Sequence, residues 1–315
     1  MSEPGFVAGD WGTTHLRLFL CEANGRVLDS VSGPGAADVH GDFPHVFDSL
    51  LASWRQRHGP LPAVLCGMVG SSIGWTQVPY VPCPVRPAQI AGACLALRDG
   101  DVQIVPGLSC KNRLGSPDFM RGEETQLLGA LAQEPSLRSS RHLLCLPGTH
   151  TKWVALEDSE VRDFLTAPTG ELFAVLRDHS VLVHQRDSNE SGPGAAAFAS
   201  GLAEFNRLPD AQVLHRLFEC RARRLAGDLS EADAAPYLSG LLIASDVAGA
   251  LRLFADYLVG RSVGLIGTPR LTALYASALR AHGLAGQLID GSAAALAGLT
   301  HVHKHLVSPV GANDT

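Results

Sequence analysis

Two short stretches, far apart in the chain, constrain its fold more than any other feature. The first is Val7-Ala-Gly-Asp10-Trp-Gly12-Thr13-Thr14-His15-Leu-Arg17. An apolar entry runs into Asp10, a Gly-Thr-Thr turn follows, and Leu16, Leu18 and Leu20 then alternate with other residues. Period-two alternation bounded by turn residues predicts strand, tight turn and strand. Asn24-Gly25 supplies the next turn, and Val27 to Val31 the return strand. The second stretch is Leu146-Pro-Gly148-Thr149-His150-Thr151-Lys152-Trp-Val-Ala-Leu156. It again sets Gly-Thr before an apolar run, with Glu157-Asp158 as an acidic turn and Val161 to Leu165 as a return. Two hairpins of one design predict a duplicated domain.

The same residues carry chemistry. Gly12 has no Cβ, so a ligand can approach the backbone. Thr13, Thr14 and Thr149 offer hydroxyl and N–H donors, and two facing Gly-Thr turns can grip one polyphosphate. Asp10 suits Mg²⁺, which takes oxygen ligands and keeps most of its waters. Each turn taken alone is equally an ordinary hairpin turn, because Asp-x-Gly-Thr is short.

The pair of turns resembles the phosphate-binding motifs of the actin/hexokinase/Hsp70 superfamily. Within it, the chain resembles the 2-dehydro-3-deoxygalactonokinase family. The resemblance rests on Asp10-Trp-Gly-Thr-Thr, Gly67-Met-Val-Gly70-Ser71 with Gly74-Trp75, and Pro79-Tyr80-Val-Pro-Cys-Pro84. It continues through Met120-Arg121-Gly-Glu123-Glu124-Thr-Gln126, Leu146-Pro-Gly-Thr-His150, Thr169-Gly-Glu-Leu-Phe173 and Leu265-Ile-Gly267-Thr268-Pro269. These runs span nearly the whole chain. The Gly-Met-Val-Gly-Ser and Met-Arg-Gly-Glu-Glu-Thr-Gln runs are the specific ones.

The resemblance implies an α/β protein of two ribonuclease H-like (actin-like ATPase) domains with a cleft between them that closes on substrate. Residues 1–121 would form the substrate-side domain, with the last helix at 292–305 packing back on it, and 122–291 the nucleotide side. It implies ATP and Mg²⁺ as cofactors, and transfer of phosphate to the 6-hydroxyl of 2-dehydro-3-deoxy-D-galactonate in galactonate catabolism. Asp10 would hold the metal. Gly12, Thr13, Thr14, Gly148, Thr149 and His150 would lie at the phosphates, with Lys152 either at a phosphate or at an exposed strand end. Gly267 and Thr268, between a strand and a helix start, would cradle the adenosine. Glu123 and Glu124 open a helix marked by Leu127, Leu128 and Leu131. One of them would be the base on the sugar hydroxyl, and adjacency in sequence leaves the choice open, with a lean to Glu124. The substrate-side set is Arg17, Gly70, Ser71, Trp75, Tyr80 and Arg121. A sugar-acid carboxylate calls for a guanidinium, and Arg121 and Arg17 lie in the motifs. Arg17 is as readily a structural ion pair. The family pattern has Asn in place of His15 and Arg in place of Ser72, which leaves the sugar-acid epimer open. A kinase for another sugar acid or sugar, or a non-catalytic nucleotide-dependent sensor on the same scaffold, are the alternatives.

Composition narrows the field. The chain has 315 residues, enough for two domains. A formal net charge of -6 without a basic stripe argues against nucleic-acid and membrane-surface partners, and a homodimer is left open. Glu3 and Pro4 stand where a signal peptide would carry basic and apolar residues, so a cytoplasmic protein is expected. The 7 cysteines form no Cys-x-x-Cys pair, which argues against structural zinc and a disulfide framework. Beyond the second hairpin, helical spacing predicts helices over 195–208, 211–226, 234–244 and 246–259. A Gly/Ser/Pro loop is expected over 188–194 and a disordered tail from Pro309.

Overall fold

The computed structural model describes residues 3–183, 194–208 and 212–307. The tail from Pro309 and the 188–194 loop before Gly194 lie outside the described residues.

The first hairpin forms as its alternation predicts. Strand β1 (Phe6–Trp11) is followed by β2 (His15–Cys21) and β3 (Val27–Pro34). Phe6 to Gly9 are buried on both faces of β1, whereas β2 buries Leu16, Leu18 and Leu20 and exposes His15 and Arg17. β1 is therefore a central strand and β2 lies one step outward. Helix α1 (Phe43–His58) follows. Asp42 caps its N-terminus through His45 N–H, and basic residues fill its last turn, both favourable to the helix dipole. Strand β4 (Ala63–Gly67), buried throughout, pairs parallel to β1. Short elements come next: β5 (Val81–Pro82), α2 (Pro87–Gly92), β6 (Leu95–Leu97), β7 (Val102–Ile104), β8 (Leu108–Lys111) and β9 (Pro117–Met120). Helix α3 (Glu123–Gln133) closes this part.

Strands β10 (Arg141–Leu146), β11 (Thr151–Glu157) and β12 (Glu160–Ala167) repeat the opening pattern, with Asp158 and Ser159 at positive φ in the turn. Helices α4 (Thr169–His179), α5 (Gly194–Arg207), α6 (Val213–Leu217), α7 (Glu219–Ala226) and α8 (Glu231–Leu253) come next. Strand β13 (Ser262–Gly267), helix α9 (Pro269–Ala281), strand β14 (Ala285–Asp290) and helix α10 (Gly291–Val307) complete the chain.

The two large sheets share one order. The first runs β3-β2-β1-β4-β7-β6 and the second β12-β11-β10-β13-β14. In each, a meander of three strands is joined at its first strand by a later parallel strand, β4 beside β1 and β13 beside β10. This is the ribonuclease H-like arrangement, present twice, as the duplicated hairpins predict. A third, three-stranded sheet runs β5-β8-β9. The chain divides into two compact units. One takes the residues up to Arg141, Val154–Phe164 and the stretch from Ile289; the other takes His142–Trp153 and Leu165–Leu288.

Three of the expected helices need correction. The segment 234–244 and the first part of 246–259 belong to one helix, α8, which runs unbroken through Ser245 and Asp246 and ends at Leu253. Asp246 reads in sequence as a boundary, but its carboxylate is satisfied inside the fold. The segment expected as one helix over 211–226 divides at Phe218 into α6 and α7. α8 is long and apolar enough to cross a membrane by composition. In the fold it packs on α5 through glycines, where a Cβ on Gly201 would lie 2.3 Å from the Tyr237 carbonyl and one on Gly240 2.3 Å from that of Phe198.

In the first unit, α3 and α10 are pressed together in the same way. A Cβ on Gly129 would lie 1.7 Å from the Ala294 carbonyl oxygen, and one on Gly298 1.9 Å from that of Thr125. Both obstacles are backbone, so neither can rotate aside. Gly129→Ala is therefore expected to lower unfolding free energy by about 1–3 kcal/mol, despite alanine's better helix propensity. Urea unfolding checks this, and a neutral or stabilising effect would contradict the packing described.

Candidate functional site

In the first unit, the motif residues gather at one end of β1 and β4. The parallel register sets Asp10 against Cys66 and Trp11 against Gly67. On the other side, antiparallel pairing sets Asp10 against Arg17. The Asp10 carboxylate accepts a hydrogen bond of 2.6 Å from Arg17 Nη2, and Arg17 Nη1 donates to Ser292 Oγ at 3.3 Å. Asp10 remains a quarter exposed and Arg17 about half, so the pair contributes about 0.2–1 kcal/mol and can exchange partners with a ligand. The Gly12–His15 turn is tight, with Gly12 N–H donating to the His15 carbonyl at 2.9 Å. Thr13 and Thr14 project to solvent. Gly35 lies directly behind them, since a Cβ there would fall 2.2 Å from the Thr13 carbonyl oxygen.

Gly67 ends β4 at φ 89°, and a Cβ on it would meet the Trp11 carbonyl at 2.8 Å. Gly122, at φ 104°, comes close to Gly67 and turns the chain into α3. Both positions need the left-handed freedom of glycine. The turn delivers two neighbouring carboxyl groups to different surroundings. Glu123 is half-buried and accepts from Arg121 N–H at 3.1 Å. Glu124 is fully buried; it accepts from Gly122 N–H at 2.6 Å and from the Thr125 hydroxyl at 3.1 Å. Burial, assisted by the neighbouring Glu123 charge, pushes the Glu124 carboxyl up to about 8. The Cys66 thiol nearby is raised by burial and by the charges of Asp10 and Glu124.

The remaining substrate-side candidates separate into two kinds. Arg121 lies with its guanidinium carbon 4.4 Å from the Tyr80 ring centroid. Its Nη2 donates to the Val78 carbonyl at 2.7 Å, while Nε and Nη1 are buried without a hydrogen-bond partner. Gly70 makes room for it, since a Cβ there would lie 2.8 Å from Arg121 Nη1. Tyr80 also stacks edge-on with Phe119. Ser71 and Trp75 are instead engaged within their own loop and core. The Ser71 hydroxyl donates to the Met68 carbonyl at 2.7 Å and accepts from Ile73 N–H. The Trp75 ring packs on Phe47 and under the Arg98 guanidinium.

The second unit repeats the layout at the ends of β10 and β13, which pair in parallel from Leu143–Val263 to Cys145–Leu265. The Gly148–Thr149 turn follows one and Gly267–Thr268 the other. They are neighbours: a Cβ on Gly267 would lie 3.5 Å from the Pro147 carbonyl. Thr149, His150 and Thr268 are exposed. Gly170 backs the first of these turns, as Gly35 does in the other unit; its Cβ would meet the Gly148 carbonyl at 2.3 Å. His150 Nε2 lies 2.9 Å from the Glu171 carboxylate. Lys152 does not reach solvent as an exposed strand end would. It is buried, and its Nζ donates to the His150 carbonyl at 3.1 Å, bracing the turn.

One group was not singled out in sequence. Asp246 accepts from Trp153 Nε1 at 2.8 Å, the Thr169 hydroxyl at 2.7 Å and the Tyr275 hydroxyl at 2.6 Å. The available signal was an acidic residue inside an otherwise apolar helix, which calls for partners.

A family model described as 2-keto-3-deoxy-galactonokinase matches residues 10–302. The chain belongs to the 2-keto-3-deoxy-galactonokinase family. It is 38% identical, over 95% of its length and 97% of the relative's, to a protein of Rhizobium meliloti (strain 1021) named as a probable 2-dehydro-3-deoxygalactonokinase. It is 34% identical, over 94% and 97%, to the 2-dehydro-3-deoxygalactonokinase of Escherichia coli (strain K12). A crystal structure from Sinorhizobium meliloti, provisionally named a 2-dehydro-3-deoxygalactonokinase, superimposes with a TM-score of 0.84 at 37% identity, covering 97% of this chain and all of that one. Membership places the chain among carbohydrate kinases, and the double ribonuclease H-like fold is shared over its length.

The raised Glu124 carboxyl has a consequence for stability. The folded state holds that proton more tightly than the unfolded chain does. The stabilisation is fully present below the ordinary carboxyl range near 4.5 and is lost as pH rises through about 8. Glu124→Gln is therefore expected to be more stable than the native chain at pH 9, by on the order of a few kcal/mol, with the gap closing toward pH 5. Urea unfolding at the two pH values checks this; a gap independent of pH would contradict it.

Proposed function

We propose that the chain is an ATP-dependent kinase that phosphorylates the 6-hydroxyl of 2-dehydro-3-deoxy-D-galactonate, with Mg²⁺, in galactonate catabolism. The observation that carries the mechanism is the difference in burial between the adjacent glutamates: both accept from backbone N–H groups of the turn, but Glu124 is fully buried with its carboxyl near 8, while Glu123 is half-buried. A carboxylate that binds its proton that strongly is a competent general base for an alcohol near neutral pH. Glu124 is accordingly assigned the role of taking the hydroxyl proton as the oxygen attacks the γ-phosphorus, and Glu123 the role of fixing the loop.

Phosphoryl transfer otherwise needs position and charge neutralisation. The donor set fits the cofactors: Asp10 is a partly exposed carboxylate suited to Mg²⁺ through its waters. Mg²⁺ would neutralise charge on the transferring phosphate. Thr13 and Thr14, and Gly148, Thr149 and His150, offer N–H and hydroxyl donors to the phosphates, and Gly12, without a Cβ, leaves room for them to approach. Gly267 and Thr268 are suited to the nucleoside side. Arg17 holds the Asp10 carboxylate in place, and Mg²⁺ would draw on the same carboxylate. Arg121, with two donors lacking an acceptor beside Tyr80 and Gly70, is the natural partner of the substrate carboxylate. The acidic net charge and the absence of a basic stripe in the sequence favour a small-molecule partner over nucleic acid.

The test is ADP release with Mg-ATP against 2-dehydro-3-deoxygalactonate, its gluconate epimer and plain hexoses. Turnover on the galactonate compound is expected. Glu124→Gln should lower kcat by about 10²–10⁴-fold, and Glu123→Gln far less. Arg121→Lys should raise KM for the sugar acid by about tenfold or more while leaving KM for ATP unchanged. Binding of ATP without turnover on any acceptor would favour the sensor reading instead.

A further inference from the structure

Asp246 is tied to the three elements that carry the second unit's turns. Trp153 lies on β11, two residues past Thr151, and β11 leaves directly from the Gly148–Thr149 turn. Thr169 opens α4, whose Gly170 touches that turn and whose Glu171 N–H donates to the Thr149 carbonyl at 2.9 Å. Tyr275 lies on α9, which opens just after Gly267 and Thr268, and its hydroxyl also meets Thr151 Oγ1 at 2.9 Å. A single carboxylate on α8 thus joins the supports of both turns. Hydrogen bonds to a charged acceptor are the stronger class, and removing one partner leaves the others short of an acceptor.

The geometry points to Asp246 as the positioning residue of the nucleotide half: it sets the spacing between the Gly148–Thr149 turn and the Gly267–Thr268 turn without touching the nucleotide. A mere core bond would hold the fold together and leave the affinities alone. A positioning role makes nucleotide affinity depend on it selectively. Burial raises the Asp246 carboxyl, and the hydrogen bonds from Tyr275, Thr169 and Trp153 offset part of that rise.

This inference rests on the nucleotide reading given above. The experiment measures KM for Mg-ATP and for 2-dehydro-3-deoxygalactonate, with melting temperatures with and without ADP, in the native chain and in Asp246→Asn, Thr169→Val and Tyr275→Phe. Asp246→Asn is expected to raise KM for Mg-ATP by about tenfold, and the two donor variants by about threefold each. KM for the sugar acid should stay within about twofold, and the ADP-induced rise in melting temperature should shrink in the same order. Unchanged KM for Mg-ATP in folded variants, or an equal rise in both KM values, overturns the inference. If Asp246→Asn cannot be purified folded, the two donor variants decide by the same criteria. A native chain that shows neither an ADP-induced shift nor ATP turnover overturns the nucleotide reading, and this inference with it; a responsive native chain whose folded variants keep the native ADP-induced shift and KM for Mg-ATP overturns this inference alone.

Discussion

Backbone lying against backbone, with no room for a side chain between, is the constraint on which the rest of this structure depends. Gly35 lies behind Thr13 and Thr14, and Gly170 behind Gly148 and Thr149. In each unit a turn assigned to phosphate is held by a glycine whose Cβ would collide with the turn's own carbonyl. Gly67 and Gly122 bring β4 against the start of α3, and Gly129 and Gly298 fix that helix on α10. Rigid placement of this kind is what phosphoryl transfer asks of a protein, since most of its catalysis is position and electrostatics.

Two carboxylates away from solvent then divide the work. Glu124 accepts from its own and the Gly122 backbone N–H and from the Thr125 hydroxyl, but lies next to another acidic residue and binds its proton strongly. Asp246 has an indole and two hydroxyls directed at it and serves as a structural acceptor. Burial raises both, and the kind of donor and the Glu123 charge beside Glu124 separate their roles. The same reasoning separates the arginines. Arg17 is matched to Asp10, whereas Arg121 keeps two donors without an acceptor.

Much of this was legible in the residue order, for physical reasons. Alternation in β2 and the Asn24-Gly25 turn announce a hairpin, and the repeated Gly-Thr hairpin announces a second unit with the same strand order. The choice between Glu123 and Glu124 was not legible, because adjacent helical residues point in different directions and only packing decides which is enclosed. Ser71 and Trp75 stood in the right motif, but their polar atoms and ring face are engaged by Met68, Ile73, Phe47 and Arg98. The continuity of α8 was hidden by Asp246, since a charge inside an apolar helix resembles a break until its partners on three other elements are known.

The central claim is that the buried Glu124 carboxyl is the base. The most direct measurement is the pH dependence of kcat/KM for 2-dehydro-3-deoxygalactonate at saturating Mg-ATP, which reports groups of the enzyme before it binds the sugar acid. The account predicts a rate that climbs with pH through an apparent pKa near 8, with the limb removed in Glu124→Gln. A profile already flat from pH 6 to 9 in the native enzyme would contradict it.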